Sequence, residues 1–145
     1  MKTAIIYYSK HNGNTKKLLD AIAAGNEVTL IDVTAEKPAD LSGFDRIGFA
    51  SGIYYSKFHK TLLNYAEERL PEGKQVFFIY TCGSEKDGYT RSIAEIAQRK
   101  NSEILGSFGC LGLDTFGPFK LVGGIAKGHP DSSDLANAAA FYESL

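Results

Sequence analysis

Five short apolar runs, rich in β-branched and aromatic residues, alternate along this chain with stretches of helical spacing, and that alternation constrains the fold more than any other feature. The runs lie at about 3–8, 27–33, 46–51, 75–81 and 104–110, and the helical stretches at about 14–24, 58–70, 89–100 and 133–144. Ala4-Ile5-Ile6-Tyr7-Tyr8 reads as a buried strand, after which Leu18, Leu19, Ile22 and Ala23 share one helix face. The run from Glu27 to Val33 alternates less clearly, as suits an outer strand, and residues 34–44, with Pro38, are short for a helix. Strands interleaved with helices predict an α/β fold: a parallel sheet covered on both faces, with right-handed crossovers. A chain of 145 residues without internal repeat or low-complexity linker is expected to form one domain over 1–145. A domain of that size buries about 70% of its unfolded surface.

Open sheets of this kind bind ligands at the carboxyl ends of their strands. Three of those ends read alike, polar or aromatic and glycine-bearing. The first is Ser9-Lys10-His11-Asn12-Gly13-Asn14-Thr15. A loop leaving a parallel strand for a helix exposes backbone N–H groups which, with the helix dipole, bind phosphate. Asn and Thr are equally ordinary helix caps, so the tripeptide alone does not decide between the two roles. No Gly-Lys-Ser/Thr follows, and the Gly-x-Gly-x-x-Gly spacing is missing, so the loop suits a ligand with one phosphate. The second end is Ser51-Gly52-Ile53-Tyr54-Tyr55-Ser56-Lys57-Phe58-His59. The third is Thr81-Cys82-Gly83-Ser84, running on to Asp87-Gly88-Tyr89. Each tyrosine taken alone also reads as a half-buried surface residue. Together, three such loops on one edge suit a flat aromatic ring with a phosphate tail, stacked on Tyr54, Tyr55 or Tyr89. Flavin mononucleotide (FMN) is the natural candidate.

On these residues the chain resembles the flavodoxin family over essentially its full length. Flavodoxins open on a strand ending in a Ser/Thr-rich loop closed by Gly-Asn-Thr, which Gly13-Asn14-Thr15 matches. The loop here is one residue longer, with His11-Asn12 where the family usually has Thr. The resemblance implies a three-layer sandwich around a five-stranded parallel sheet in the order 2-1-3-4-5. It also implies that Ser9, Lys10, His11, Asn12, Gly13, Asn14 and Thr15 hold the FMN phosphate. Ile53-x-Tyr55-Ser56-x-Phe58-His59 is similar to the matching loop of menaquinone-dependent protoporphyrinogen oxidases, which share this fold. That similarity implies that Ile53, Tyr54, Tyr55 and Ser56 line the flavin, with Tyr55 stacked on it. Thr81, Cys82, Gly83 and Tyr89 match the third flavin loop. Ser56 falls where flavodoxins usually place glycine, so turning that peptide over to a positive φ is expected to cost more here. Asp114 to Lys120 and Lys127 to Pro130 resemble flavodoxin-like proteins of unassigned function.

Charge and composition bear on partners. A net charge of −1 and the lack of a basic stripe predict no nucleic-acid partner, and they give little of the acidic steering field usual in flavodoxins. The apolar run at 4–8 is too short for a signal peptide or a membrane span. Cys82 and Cys110 lack C-x-x-C or metal spacing, which predicts a reduced, cytoplasmic protein. The two cysteines are expected to end adjacent strands on one sheet edge, where they would form either a redox pair or two free thiols. His11, His59 and His129 are scattered, so no metal site is expected; His59, near a helix start, suits a cap better than a proton donor. Residues 106–130, with seven glycines, are expected to form a flap near the flavin or a homodimer surface. Two functions remain open at this point. One is an electron shuttle between redox partner proteins; the other is a small FMN-dependent oxidoreductase acting on a quinone- or porphyrin-like substrate. A flavin-free scaffold is a third class.

Overall fold

Thr3, Ala4, Ile5 and Ile6 are all buried, so β1 (Thr3–Tyr8) has a core on both of its faces. Only a strand inside a covered parallel sheet needs such an unbroken apolar run. In the computed structural model, which describes residues 1–9, 13–35, 37–112 and 128–145, β1 pairs in parallel with β2 (Thr29–Asp32) and with β3 (Arg46–Tyr54). β3 pairs in parallel with β5 (Gln75–Cys82), and β5 with β6 (Glu103–Leu111). The parallel strands stand in the order β2-β1-β3-β5-β6. Counting the parallel strands alone, that is the expected order 2-1-3-4-5.

Helices cover the two faces in pairs. α1 (Asn14–Gly25) and α4 (Ser132–Glu143) place Leu18, Leu19, Ile22, Ala138 and Tyr142 against Ile5, Ala50, Phe77 and Ile79. α2 (Lys60–Arg69) and α3 (Arg91–Arg99) place Leu62, Ala66, Ile93, Ile96 and Ala97 against Ala4, Ile6, Phe49 and Phe78. Ile93, Ile96 and Ala97 fall at i, i+3 and i+4, the stripe a surface helix turns inward. Each fully buried Phe, Leu or Ile contributes about 1.5–3 kcal/mol. Between β2 and β3 the described residues form turns rather than a helix, with Val33 and Leu41 anchored in the core.

A sixth strand departs from the expected sheet. β4 (Lys57–Phe58) folds back antiparallel on the end of β3, pairing Phe58 with Ile53 and Lys57 with Tyr54. Tyr55 and Ser56 form the turn, with φ of 52° and 66°. Positive φ at both central residues is the mark of a type I′ turn, whose twist matches that of the strands it joins. This corrects the expectation for Ser56. Its backbone already stands in the left-handed region, so strain belongs to the conformation seen and not to one reached from it.

Candidate functional site

Gly13 sets the direction of α1. Its backbone is left-handed (φ 66°, ψ 20°), a conformation glycine adopts without strain, and the helix starts at the next residue. The first N–H groups of any helix have no partner within the helix. Here the Lys16 N–H finds the Ser9 hydroxyl at 3.0 Å, so the loop reaches forward to cap the helix it feeds. Asn14 and Thr15 are buried. The Thr15 and Thr81 hydroxyls lie 2.9 Å apart, joining the start of α1 to the end of β5. Gly112, just past β6, closes over Asn14; a Cβ there would sit 2.9 Å from the Asn14 amide nitrogen. Lys10, His11 and Asn12 fall outside the described residues.

The second loop is built on three rings. His59 stacks on Tyr8 with centroids 3.7 Å apart and planes 8° apart. Tyr54 meets both edge-on, at 6.0 Å from Tyr8 and 4.9 Å from His59. The His59 main-chain N–H donates to the Ser51 hydroxyl at 3.1 Å. Its Nδ1 accepts the Thr61 N–H at 3.0 Å, so His59 caps α2 and carries its ring hydrogen on Nε2. Burial holds its pKa below the ordinary value of 6.5. Ile53 packs on the core. Tyr55 stands at the hairpin tip, 83% exposed.

The three tyrosines named from sequence therefore have different surroundings. Tyr54 packs within the aromatic cluster. Tyr89 is buried; its hydroxyl donates to the Ser84 carbonyl at 2.6 Å, and its ring meets Tyr80 edge-on at 5.7 Å. Tyr55 presents a ring to solvent.

Thr81 and Cys82 end β5 as expected, with Gly83 half-buried beyond them. A cysteine redox pair does not survive the register. Cys110 pairs with Thr81, whereas Cys82 pairs with Leu111. Neighbours in register on parallel strands share a face, and an offset of one residue turns a side chain to the opposite face. The two cysteines thus point to opposite sides of the sheet, where a disulfide cannot form without moving backbone. Both cysteines are buried and outside any disulfide, and Cys82 Sγ donates to the Cys110 carbonyl at 3.5 Å. Burial, reinforced by Asp134, pushes the Cys110 thiol up to about 12, which keeps it protonated near neutrality.

Sequence reading missed two arrangements. The Thr15–Thr81 bond joins residues 66 positions apart, and no local pattern announces it. His129, read as isolated, lies beside two carboxylates, with ligating atoms of His129, Asp131 and Asp134 within 4.8 Å of one another. These groups cap α4. The Asp131 side chain accepts the Asp134 N–H, Asp134 accepts the Asp131 N–H, and His129 Nδ1 lies 2.8 Å from Asp134. The Asp134 hydrogen bond raises the His129 pKa. The spacing Asp131-x-x-Asp134 is a capping-box pattern, and that was the legible signal. Gly106 and Gly109, read as part of a long loop, belong to β6. Of the flap or homodimer surface placed at 106–130, residues 113–127 lie outside the described residues. Among the described residues no helix is long and apolar enough to cross a membrane.

Comparison with known proteins agrees with this architecture. A family model for the flavodoxin domain matches residues 5–109. An uncharacterized protein of Methanocaldococcus jannaschii is 34% identical over 147 residues, covering 100% of this chain and 98% of its own. Oxidised flavodoxin 2 from Bacillus cereus superposes with a TM-score of 0.70 at 17% identity, over 100% of both chains. A flavoprotein from Lactobacillus acidophilus, solved in complex with FMN, superposes with a TM-score of 0.58 at 19% identity, over 74% of this chain and 92% of that one. At such identities the solved structures speak for the fold.

Proposed function

The chain belongs to the flavodoxin family, and from that premise we propose that it binds FMN across its three loops and carries electrons between redox partners in the cytoplasm. One observation carries the reading. The start of α1, the Tyr55 hairpin and the end of β5 converge at one edge of the sheet, and the Thr15–Thr81 bond ties the first to the third.

The residues present fit the cofactor. A phosphate at the first turn of α1 would meet backbone N–H groups and the positive end of the helix dipole. Ser9, Gly13, Asn14 and Thr15 frame that turn, and by sequence Lys10, His11 and Asn12 would complete the loop with further polar groups and a cation. Tyr55, exposed on its hairpin, offers a ring face for stacking, with Ile53, Tyr54 and Ser56 beside it. Thr81, Cys82 and Gly83 border the third side, and Tyr89 supports that loop from beneath through the Ser84 carbonyl. Bound FMN would supply reversible uptake of electrons. The chain's own task is to hold phosphate and ring, and no thiol competes for the redox role. The flavoprotein of the same fold solved with FMN supports this reading.

A second reading has one observation in its favour. A net charge of −1 provides little field to steer a charged partner protein, which suits a small oxidoreductase acting on an uncharged quinone-like substrate.

Titration of the purified chain with FMN and with riboflavin tests the cofactor. FMN is expected to bind one to one and riboflavin far more weakly, because it lacks several charge-assisted hydrogen bonds of about 1.5–3 kcal/mol each. Equal affinity for the two, or no binding of either, would overturn the assignment. Anaerobic photoreduction of the loaded protein then separates the two functions. One-electron steps indicate the shuttle, and a single two-electron step indicates the enzyme.

A further inference from the structure

Resting on the FMN reading, we propose that Thr81 is a positioning residue for the phosphate end of the site, setting selectivity for FMN over riboflavin without touching the ligand. By resemblance Thr81 belongs to the third loop, beside the ring. The geometry gives it a different task.

β5 and β1 are not neighbours, because β3 lies between them. The residue of β3 in register with Thr81 is Gly52, which carries no side chain. Thr15 therefore meets Thr81 across the intervening strand, Oγ1 to Oγ1 at 2.9 Å, with the two residues 1% and 4% exposed. A hydroxyl–hydroxyl bond sealed from water is not exchanged for a bond to solvent, so it fixes the distance between the elements that carry it. Those elements are the first turn of α1 and the last turn of chain in β5.

Two more contacts clamp the same turn. The Ser9 hydroxyl holds the Lys16 N–H. From the other side, the Gly112 N–H donates to the Cys82 carbonyl at 2.9 Å, which draws Gly112 down until it closes on Asn14. The turn whose N–H groups would receive the phosphate is thus set by the ends of β5 and β6 as much as by its own loop. Thr15 is almost wholly buried and engaged by Thr81, so Thr81 fixes where its hydroxyl sits. On the FMN reading the phosphate would be met at this turn, by its backbone N–H groups and by a Thr15 hydroxyl that Thr81 holds.

A double-mutant cycle on the full chain tests this, using calorimetric affinities for FMN and for riboflavin. Thr81→Val should weaken FMN roughly tenfold and leave riboflavin unchanged, the loss of one buried hydrogen bond being read only at the phosphate end. Thr81→Ser, which keeps the hydroxyl, should restore FMN affinity. Thr15→Val should cost at least as much as Thr81→Val, and the double variant should be no weaker than Thr15→Val alone, because Thr81 acts through Thr15. Thr81→Ala serves as a second probe should valine disturb folding. Equal losses of FMN and riboflavin would place Thr81 at the ring and overturn the proposal. So would additive losses, which would show that Thr81 does not act through Thr15, or an FMN affinity that does not move. A wild-type chain that binds no FMN would overturn the cofactor reading itself.

Discussion

Replacing Ser56 with glycine should stabilise this protein. Ser56 has φ of 66° in the turn between β3 and β4, and Tyr55 beside it has φ of 52°. A left-handed backbone costs an L-residue with a Cβ roughly 1–2 kcal/mol. Glycine escapes that cost, but its greater freedom in the unfolded chain takes back about 0.5–1 kcal/mol. The Ser56 side chain is exposed, so its removal opens no cavity. The net gain is about 0.5–1 kcal/mol. For a chain of this size that raises Tm by about 1–4 °C, with a matching shift in the urea midpoint at constant slope.

Position decides the sign, and one control exploits that. Lys57 lies one residue further on, in the extended segment β4, where glycine brings only its entropic cost. Lys57→Gly should therefore lower Tm while Ser56→Gly raises it. If both variants lower Tm, the turn does not hold Ser56 left-handed in solution, and the assignment of strain to this hairpin is wrong.

Three further outcomes follow from the Tyr55 ring and from the two helix-capping histidines. Tyr55→Ala should weaken FMN by about 1–3 kcal/mol, the range for loss of one stacking ring, while the Tm of the flavin-free chain stays put because the ring is 83% exposed; calorimetry beside a melting curve checks both. His59 titrates below its ordinary 6.5 in the folded chain, so its contribution to stability is complete above pH 6.5 and is lost as pH falls from there toward the folded value. His129, raised by Asp134, has the opposite sign, its contribution being present below 6.5 and lost as pH rises through the folded value. Urea midpoints against pH in a His129→Gln background isolate the first effect, and His59→Asn, which keeps a capping acceptor, should remove it.

The parallel sheet was legible because interior strands such as β1 and β5 need unbroken apolar runs, and few other structures do. The three loops were legible because strand order puts the ends of β1, β3 and β5 on one edge. The hairpin was not, because its turn is Tyr55-Ser56 and the sequence cue for a type I′ turn is Asn-Gly. The relation of Cys82 to Cys110 hinged on a single step of register. Val76 pairs with Ile104 and Phe77 with Gly106, so one residue of β6 is skipped between them, and this shifts every later pair. Apolar pattern fixes such a slip poorly when a strand is as glycine-rich as β6. Tyr54, Tyr55 and Tyr89 look alike in sequence because composition carries no record of which neighbour a ring will meet. Tyr80 awaits Tyr89, Tyr8 and His59 await Tyr54, and Tyr55 stands 83% exposed at the hairpin tip.

Strain at the Tyr55 turn persists because the stem below it is over-determined. Phe58, 1% exposed, locks the returning strand between Phe78 at 6.3 Å and Tyr80 at 6.2 Å. Tyr54 is held by Tyr8 and His59, and His59 in turn by Ser51 and by the first turn of α2. A strained turn survives only where its surroundings leave no better alternative. The consequence for a ligand is entropic. A stacking ring on a loose loop must be ordered when the ligand arrives, at about 0.5–1.5 kcal/mol for the side chain and more for the backbone. Here buried aromatic packing fixes in advance the backbone that carries Tyr55, so on the proposed reading little ordering cost would be set against stacking. The hairpin absent from the sequence reading is therefore what fixes the position of an exposed tyrosine, and the flavin platform proposed for Tyr55 rests on that stem.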